Sequence, residues 1–428
     1  MPELLPFAGL RPNPSLAGPL DGLVCPPYDV ITEEQRQVLL DRNPYNVVRL
    51  ELPNGDYAGA ARLLGQWKAS GVLAREDAPA LYGYRMTSRT PDGQTRHTVG
   101  VMGALVLEPP GQGILPHEHT TPKAKSDRLE LIRATRCNTS PIWCLCSEAG
   151  LADALGPVPG GDGPARPARA VDDDGNLHEI WPMFDPAAHQ SVAAVVAARP
   201  LLVADGHHRY ETALAYQAER DGKHQSERNG ETHQTGHQTG HQTGHRGQAA
   251  GAAEPGRAGY DAVLCYVAEL AEEHLQVLAI HRVVSGLPAG TDVLGALAPA
   301  FELEQAPAQG AALPARMASA GALAVVTRDA TYLAVPRLEV PGGGPDLDSS
   351  QADAAVRALP AHRLHYEHDA PAAMAVVRSG AADFAILCRP APVAQIARTA
   401  HGGWRMPPKT TFFWPKPRTG MVLRDFEG

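Results

Sequence analysis

The sequence has no surplus of positive charge. Its 428 residues include 38 Lys and Arg against 47 Asp and Glu, which gives a formal net charge of −9 at pH 7. Proteins that bind nucleic acid in general release counterions through a basic surplus, so this balance argues against nucleic acid as a partner. A local basic pocket is still compatible with the overall charge.

Cysteines are few and long hydrophobic runs are absent. Six cysteines without a Cys-x-x-Cys pair in a chain of this length do not form a disulfide framework. The longest apolar stretch, 191–204, is interrupted by Arg-Pro and is too short to span a bilayer. The start, MPELLPFAGL, has acid and proline in place of the basic and apolar segments of a signal peptide. We therefore expect free thiols in a soluble, cytoplasmic protein with no membrane partner.

The composition is that of an ordinary globular protein, with 43% hydrophobic and 20% charged residues. The abundance of glycine and proline indicates a loop-rich chain, and the length predicts about two to three domain-sized units. We predict an α+β protein with an N-terminal α/β region (1–112), a central core (113–290) and a C-terminal α/β region with an extended tail (291–428). Within the core, the polar segment 221–258 repeats HQTG, and its glycines and threonines predict a disordered insertion.

Local patterns predict individual elements. The spacing T-x-x-Q from Thr32 to Gln35 predicts a capping box at the start of a helix, and the apolar spacing over 57–70 predicts a second helix. Further predicted elements are paired strands at 80–86 and 96–109, a helix from Pro122 to about residue 134, and a hairpin of core strands at 260–270 and 275–284.

The first segment that carries chemistry is a strand-to-helix turn, VADGHHRYETALAY. Helix N-termini attract anions, and cations in the first turn are unfavourable unless something negative is bound there. Gly206 lets the backbone approach a ligand, and Arg209 can hold a phosphate through a two-pronged contact. In the alternative interpretation, Arg209 pairs with Asp205 or Glu211 and the histidines only pack. We favour a phosphate pocket formed by Asp205, Gly206, His207, His208 and Arg209.

The second segment is LPHEHT, in which Glu118 lies between His117 and His119. Glu118 is the candidate catalytic base, since proton removal from a substrate hydroxyl needs a carboxylate or an equivalent group. The two histidines alternatively form a metal pair, but zinc needs three or four ligands and no third is evident. Mg²⁺ held mainly by nucleotide phosphates suits the sequence better, so no protein metal site is assigned. On the following helix, Lys123 and Arg128 are candidates for phosphate contacts.

Three weaker candidates lie near the two ends of the chain. Asp29 in CPPYDV is a candidate to line the pocket, although stabilising the turn is its commoner role. In the tail, Lys409, together with Lys416 and Arg418, is a candidate to close over a phosphate. A tail of this composition is alternatively an exposed docking strand.

The order of these motifs resembles known families. Over nearly its whole length the chain resembles the bacterial and archaeal family called domain of unknown function 1015, through PFAGLRP, CPPYDV, HEHT, DGHHRYETA and MPPKTTFFWPK. Between about residues 113 and 220, PHE followed by DGHHR resembles the ParB/sulfiredoxin superfamily, and within it the free-serine-kinase branch. This second resemblance implies a mixed-sheet, ParB/sulfiredoxin-like nucleotide-binding core. Sulfiredoxin activity needs a reactive cysteine beside the turn, and 203–216 contains none.

The resemblance also implies a function. In the kinase branch the glutamate of the PHE segment is the proposed base, here Glu118, and the DGHHR residues hold the nucleotide phosphates. The chain is therefore expected to be a nucleotide-dependent phosphotransferase, or a phosphatase-like enzyme in reverse, in serine metabolism or on another small hydroxylated metabolite. Its expected cofactors are ATP or ADP with Mg²⁺. An insertion of about fifty residues between Ile142 and the DGHHR strand leaves the acceptor open.

Two alternatives from other classes stay open. One is a ParB-like nucleotide switch that binds DNA or a protein partner without metabolic turnover. The other is a metal-dependent hydrolase that uses His117, His119, His207 and His208. The sequence does not indicate the nucleotide, the direction of reaction or the oligomeric state.

Overall fold

The structure is a computed structural model in which the chain forms two compact units. It describes residues 1–90, 93–116, 122–160, 166–231, 258–306, 312–337, 347–402, 406–407 and 409–427. The first unit comprises Met1–Ile114, Thr121–Glu269 and Lys416–Gly428, and the second comprises Leu115–Thr120 and Leu270–Pro415. The predicted boundaries at residues 112 and 290 do not coincide with this division, because strands from both sides of residue 112 pair in one sheet.

Helices and strands are interspersed along the described chain. The helices are α1 (Pro14–Ala17), α2 (Glu33–Arg42), α3 (Val48–Glu51), α4 (Tyr57–Ala69), α5 (Pro122–Thr135), α6 (Leu151–Leu155), α7 (Pro186–Ala197), α8 (His207–Glu231), α9 (Val293–Leu297), α10 (Ala312–Ala320), α11 (Asp348–Arg357), α12 (Ala370–Arg378) and α13 (Val393–His401). Short 3₁₀ turns occur at Leu20–Gly22, Tyr28–Val30 and Gly259–Asp261.

The strands are β1 (Leu4–Leu5), β2 (Leu10–Pro12), β3 (Leu73–Arg75), β4 (Leu81–Arg89), β5 (Thr95–Val106), β6 (Ile114–Pro116), β7 (Cys137–Asn138), β8 (Ile142–Cys146), β9 (Ala168–Val171), β10 (Leu177–Met183), β11 (Leu201–Asp205), β12 (Ala262–Glu269), β13 (Gln276–Ala279), β14 (His281–Ser285), β15 (Phe301–Gln305), β16 (Leu323–Val326), β17 (Thr331–Pro336), β18 (Arg363–Glu367), β19 (Phe384–Leu387), β20 (Thr411–Trp414) and β21 (Arg424–Asp425).

The first unit contains a mixed sheet of nine strands in the order β6-β11-β8-β12-β5-β4-β10-β9, with β1 paired to β5. Strands β8 and β12 run parallel, whereas the pairs from β12 through β9 are antiparallel. Alternate residues of β8, such as Ile142 and Cys144, pack in a buried core together with side chains of α6, α7 and α8. The opposite face carries aromatic rings, where Tyr266 contacts Trp143 at 5.7 Å and Tyr84 at 5.2 Å between ring centroids. The predicted combination of helices with a mixed sheet is confirmed, whereas the ParB/sulfiredoxin-like character of the core stays a prediction.

Several local elements form where the sequence predicts them. The hydroxyl of Thr32 accepts from the Gln35 N–H at 3.2 Å and the Gln35 side chain accepts from the Thr32 N–H at 2.9 Å, so the predicted capping box begins α2. Helix α4 buries Leu64 and Trp67 from its apolar stripe. Strands β4 and β5 pair antiparallel, and α5 runs from Pro122 to Thr135.

Two predictions about the middle of the chain are wrong. The runs at 260–270 and 275–284 do not form a hairpin: β12 lies in the sheet of the first unit, whereas β13 pairs with β20 and β14 joins the sheet of the second unit. Apolar runs are compatible with many partners, so their pairing is decided by tertiary packing. The predicted insertion at 221–258 does not begin at residue 221, because α8 continues to Glu231 in spite of the glycines at 222 and 230. The HQTG repeats lie outside the described residues.

The second unit contains a six-stranded antiparallel sheet in the order β15-β17-β16-β19-β14-β18. Strand alternation divides its core in two: Val325 and Phe384 pack with α9 and α11, whereas Val326 and Ala385 pack with α10 and α12. No helix in the described ranges has the length and apolar character that a membrane crossing requires.

Candidate functional site

The DGHHR segment forms a sharp corner between β11 and α8. Strand β11 ends at Asp205, Gly206 has φ of +91°, and α8 begins at His207. The pairing of β11 with β8 shifts register between Val203 and Asp205, so one extra residue is inserted immediately before the corner. Such a bulge bends a strand and redirects its side chains. The predicted strand–turn–helix geometry is therefore present, with Asp205 at the end of the strand.

Asp205 is the centre of an ion-pair cluster. Its Oδ2 accepts from the Arg209 guanidinium at 2.6 Å, and its Oδ1 pairs with the Lys416 ammonium. The three side chains are only 14%, 9% and 7% exposed, respectively. Burial alone would raise the pKa of Asp205, but the charges of Lys416 and Arg209 hold it well below its ordinary value. Asp205 is therefore ionised across the neutral pH range.

Arg209 does not offer the two-pronged contact that the sequence suggested. One terminal nitrogen pairs with Asp205 and the other donates to the carbonyl of Pro141, so both are already bound to protein oxygens. The buried Nε has no hydrogen-bond partner in the described part of the chain. The pairing of Arg209 with Asp205, which the sequence left open as the alternative, is the arrangement that the structure shows. A direct contact between Arg209 and a ligand stays a prediction.

The two histidines occupy the first turn of α8. His207 is buried, with 9% exposure, and His208 is half-buried. The carbonyl of His208 accepts from the Thr212 hydroxyl at 2.7 Å. His208 is thus the side chain of this turn with the greatest access to a ligand.

A second polar cluster lies beside the corner, around the buried carboxylate of Glu51. Glu51 accepts hydrogen bonds from the hydroxyls of Thr139 and Ser140, the latter at 3.0 Å. Arg128 donates to the Glu51 carbonyl at 2.7 Å, and its guanidinium lies 4.3 Å from the centre of the Tyr28 ring. Arg128 and Arg209 together line a cavity of about 40 Å³, which has room for ordered water but not for a nucleotide.

Asp29, adjacent to Tyr28, is exposed but acts electrostatically on this cluster. Burial, with a smaller contribution from the Asp29 charge, raises the pKa of Tyr28. Burial alone would lower the pKa of Arg209, but the carboxylates of Asp205 and, more weakly, Asp29 raise it. The PPYDV turn and the DGHHR corner therefore belong to one electrostatic environment in the first unit.

Residues 415–426, near the end of the chain, are buried and do not form an exposed tail. Arg418 pairs with Asp172 at 2.9 Å, and the backbone N–H of Arg418 donates to the Tyr84 hydroxyl at 3.1 Å. His178 links these groups, since its ring contacts the Tyr84 hydroxyl at 2.8 Å and Asp172 at 3.1 Å. Sequence reasoning missed Asp172, His178 and Tyr84, because nothing local distinguishes them from loop or core residues.

The other predicted site residues are only partly described. His117, Glu118 and His119 lie outside the described residues, and so does the side chain of Lys123 on α5. Lys409 is an exposed residue of the second unit with φ of +60°. Within the ranges that the structure covers, no three His, Cys, Asp or Glu side chains are grouped as a metal site. The assignments of Glu118 as base and of His117 and His119 as alternative metal ligands stay predictions.

Solved structures that are similar to this one include "Free serine kinase in complex with AMP". It has 12% identity and a TM-score of 0.37, and the match covers 70% of this chain and 83% of that chain. A "Conserved hypothetical protein from Pyrococcus furiosus" has 12% identity and a TM-score of 0.35 over 71% and 88% of the two chains. "SbnI with C-terminal truncation from Staphylococcus aureus" has 10% identity and a TM-score of 0.37 over 74% and 85%. Likeness at this level does not assign a function.

Among curated proteins, none matches the chain. Residues 4–361 match the profile of the family described as "Protein of unknown function (DUF1015)", and the chain belongs to that family.

Proposed function

We propose that the protein is a nucleotide-dependent phosphotransferase, or its phosphatase-like reverse, that acts on a small hydroxylated metabolite such as serine. The observation that carries the proposal is the β11–α8 corner, where two buried cations share one carboxylate at the start of a long helix.

The charges at the corner favour an anion. Arg209 and Lys416 both pair with Asp205, Asp29 and Glu51 act more weakly on Arg209, and the N-terminal end of α8 adds about half a positive charge. Phosphate groups bind readily in such a position, because the first N–H groups of a helix have no partner within the helix. The φ of +91° at Gly206 is accessible to glycine and lets the backbone come close to the ligand.

Phosphoryl transfer needs mainly positioning, charge neutralisation and one base. We assign the phosphate contacts to the first turn of α8 with His208, and to Lys123 of α5. Arg128 is buried and its guanidinium is bound to Asp127 and to the Glu51 carbonyl, so its part is to hold the wall beside the corner. Asp205 holds Lys416 and Arg209 in place. Glu118 is assigned as the base that removes the hydroxyl proton of the acceptor.

Mg²⁺ is expected to be bound mainly by the nucleotide. Both carboxylate oxygens of Asp205 already contact cations of the protein, so Asp205 is a poor metal ligand in this arrangement. A magnesium ion bound chiefly through phosphate oxygens needs few protein ligands. When bound, it would neutralise charge on the transferred phosphoryl group.

A thermal-shift screen tests nucleotide binding. ATP, ADP, AMP and CTP are each added with and without Mg²⁺, and again with serine or phosphoserine. A ligand that binds only the folded state raises the unfolding temperature, and a nucleotide at about 100 times its Kd stabilises by about 2.7 kcal/mol. We expect ATP or ADP to stabilise the protein, with a further shift from the acceptor. No shift with any nucleotide would exclude the proposal.

Glu118→Gln tests the base. We expect this variant to lose turnover while it keeps the nucleotide-induced shift, because the amide cannot accept the proton. Glu34→Gln, on an exposed position of α2, is the matched control and should keep full activity. Full activity of Glu118→Gln would refute the assignment. Stoichiometric zinc in untagged protein would favour the hydrolase instead, and a salt-dependent shift of duplex DNA would favour the ParB-like switch.

A further inference from the structure

A second cluster of positive charge lies in the first unit, in a cavity of about 360 Å³ between α2, α3 and α4. Its polar lining includes three guanidinium groups, from Arg36, Arg49 and Arg62, and a single carboxylate, from Asp56. The volume is in the range of small-molecule sites, which begins at roughly 300 Å³. The chain as a whole has a net charge of −9, whereas the lining of this cavity, with three arginines, is locally positive.

The three guanidinium groups are only partly used by the protein. Arg36 donates to the Leu52 carbonyl at 2.9 Å and to the exposed Glu33 at 3.1 Å. Arg49 donates to the Leu40 carbonyl at 2.7 Å, while its buried Nε has no partner among the described residues.

Arg62 completes the cluster. It is exposed and makes no hydrogen bond or ion pair within the part of the chain that the structure describes. Neutral carbonyl groups orient a guanidinium but do not compensate its charge, so the cavity retains capacity for an anion.

Asp56 does not compensate the arginines. Its carboxylate accepts from the Gly59 N–H at 2.8 Å and caps the N-terminus of α4, and it forms no ion pair with Arg36, Arg49 or Arg62 in the described ranges. Even if Asp56 is counted in full together with Glu33, which pairs with Arg36, the three arginines have one positive charge in excess. A phosphate group carries about −1.5 to −2 at pH 7, so its binding would neutralise this excess.

We propose that this cavity binds a phosphate dianion, as inorganic phosphate or as the phosphoryl group of a small metabolite, at a site separate from the DGHHR corner. Arginine is suited to this role because its planar guanidinium binds two oxygens of one phosphate in parallel. Arg62 supplies the accessible contact, while Arg49 and Arg36 are held by backbone carbonyls at the wall of the cavity. This site does not depend on the proposed phosphotransferase activity.

Calorimetric titration at low ionic strength tests the proposal. Inorganic phosphate and, separately, glycerol 3-phosphate are titrated into the wild type and into Arg62→Glu. We expect Arg62→Glu to weaken binding at this site by about tenfold or more, because a charge-assisted contact is lost and a repulsive charge is added. Tighter binding of glycerol 3-phosphate identifies a phosphorylated metabolite, and tighter binding of inorganic phosphate identifies the free ion.

Two control variants separate this site from the corner. Arg357→Glu makes the same charge change on an exposed helix position of the second unit and should bind phosphate as the wild type does. His208→Ala removes a side chain of the DGHHR corner. Phosphate binding in the cavity beside Arg62 should be unchanged in this variant, whether or not the corner also binds phosphate. Unfolding temperatures show that each variant is folded. The proposal is overturned if Arg62→Glu and Arg357→Glu bind phosphate alike, or if succinate binds more tightly than either phosphate.

Discussion

The ion-pair cluster at the corner makes a quantitative prediction about stability. Asp205→Asn keeps the shape of the side chain but removes the carboxylate charge that pairs with both Arg209 and Lys416. Removing one partner of a buried ion pair typically costs about 3–5 kcal/mol, since the remaining charge is left uncompensated in a poorly solvated place. Because two cations are left in this case and the exposures are between 7% and 14%, we expect the free energy of unfolding to fall by that amount.

A double-mutant cycle isolates the interaction between Asp205 and Lys416. Lys416→Met alone leaves Asp205 paired with Arg209, so its expected cost is about 1–3 kcal/mol. The double variant removes both charges of the pair and is expected to be less destabilised than the sum of the single changes by at least about 1.5 kcal/mol. Additivity within about 0.5 kcal/mol would refute the interpretation of the corner as a coupled charge cluster.

Urea unfolding followed by tryptophan fluorescence is a suitable assay. Trp143 and Trp181 are almost fully buried in the first unit and report on its unfolding. Because the pKa of Asp205 is held below its ordinary value, its stabilisation is fully present above the pKa of an unfolded aspartate, about 4. The difference between the wild type and Asp205→Asn should therefore be constant from about pH 5 to 8 and shrink as the pH falls below about 4. A difference that grows in acid would contradict the assigned charge state.

Two other changes test the corner and the second unit. Gly206→Ala places a Cβ 3.1 Å from the backbone of Ile142 at a φ of +91°, so we expect a loss of roughly 1–3 kcal/mol in urea unfolding and a smaller nucleotide shift. Gly55→Ala has a similar φ of +88° with nothing within 4 Å of the new Cβ, and should cost less and leave the shift unchanged. Burial lowers the pKa of His281 from 6.5 to about 4, so the unfolded state binds more protons between these values and the second unit should lose roughly 3 kcal/mol as the pH falls through them. His281→Gln should flatten this dependence, whereas the exposed His365→Gln should not.

The elements that the sequence predicts well are those determined within a few residues. The capping box at Thr32 needs only the groups of one helical turn, and it forms as predicted. The corner at Gly206 is likewise local, because an apolar strand, a glycine and a helical pattern follow one another directly. Such features depend little on the rest of the fold.

The partners of the charged residues depend on tertiary structure. Lys416 contacts Asp205, which lies 211 positions earlier in the sequence. Arg418 likewise pairs with the distant Asp172. The basic, proline-rich composition of the tail indicates an exposed segment, yet Lys416 and Arg418 are buried and paired with carboxylates that no local pattern identifies. The incorrect prediction of a hairpin at 260–284 has the same cause, because the sequence of an apolar strand does not specify which strand it pairs with.

The overall charge of the chain says little about its small ligands. At physiological ionic strength a charge is screened over about 8 Å, so the net charge of −9 acts weakly on any one cavity. A long nucleic acid contacts a wide surface and responds to the whole balance, whereas one phosphate group responds to the few side chains around it. Around Arg36, Arg49 and Arg62, the guanidinium groups outnumber the carboxylates that they face. An acidic protein can therefore repel nucleic acid and still bind phosphate, because the two partners respond to charge on different length scales.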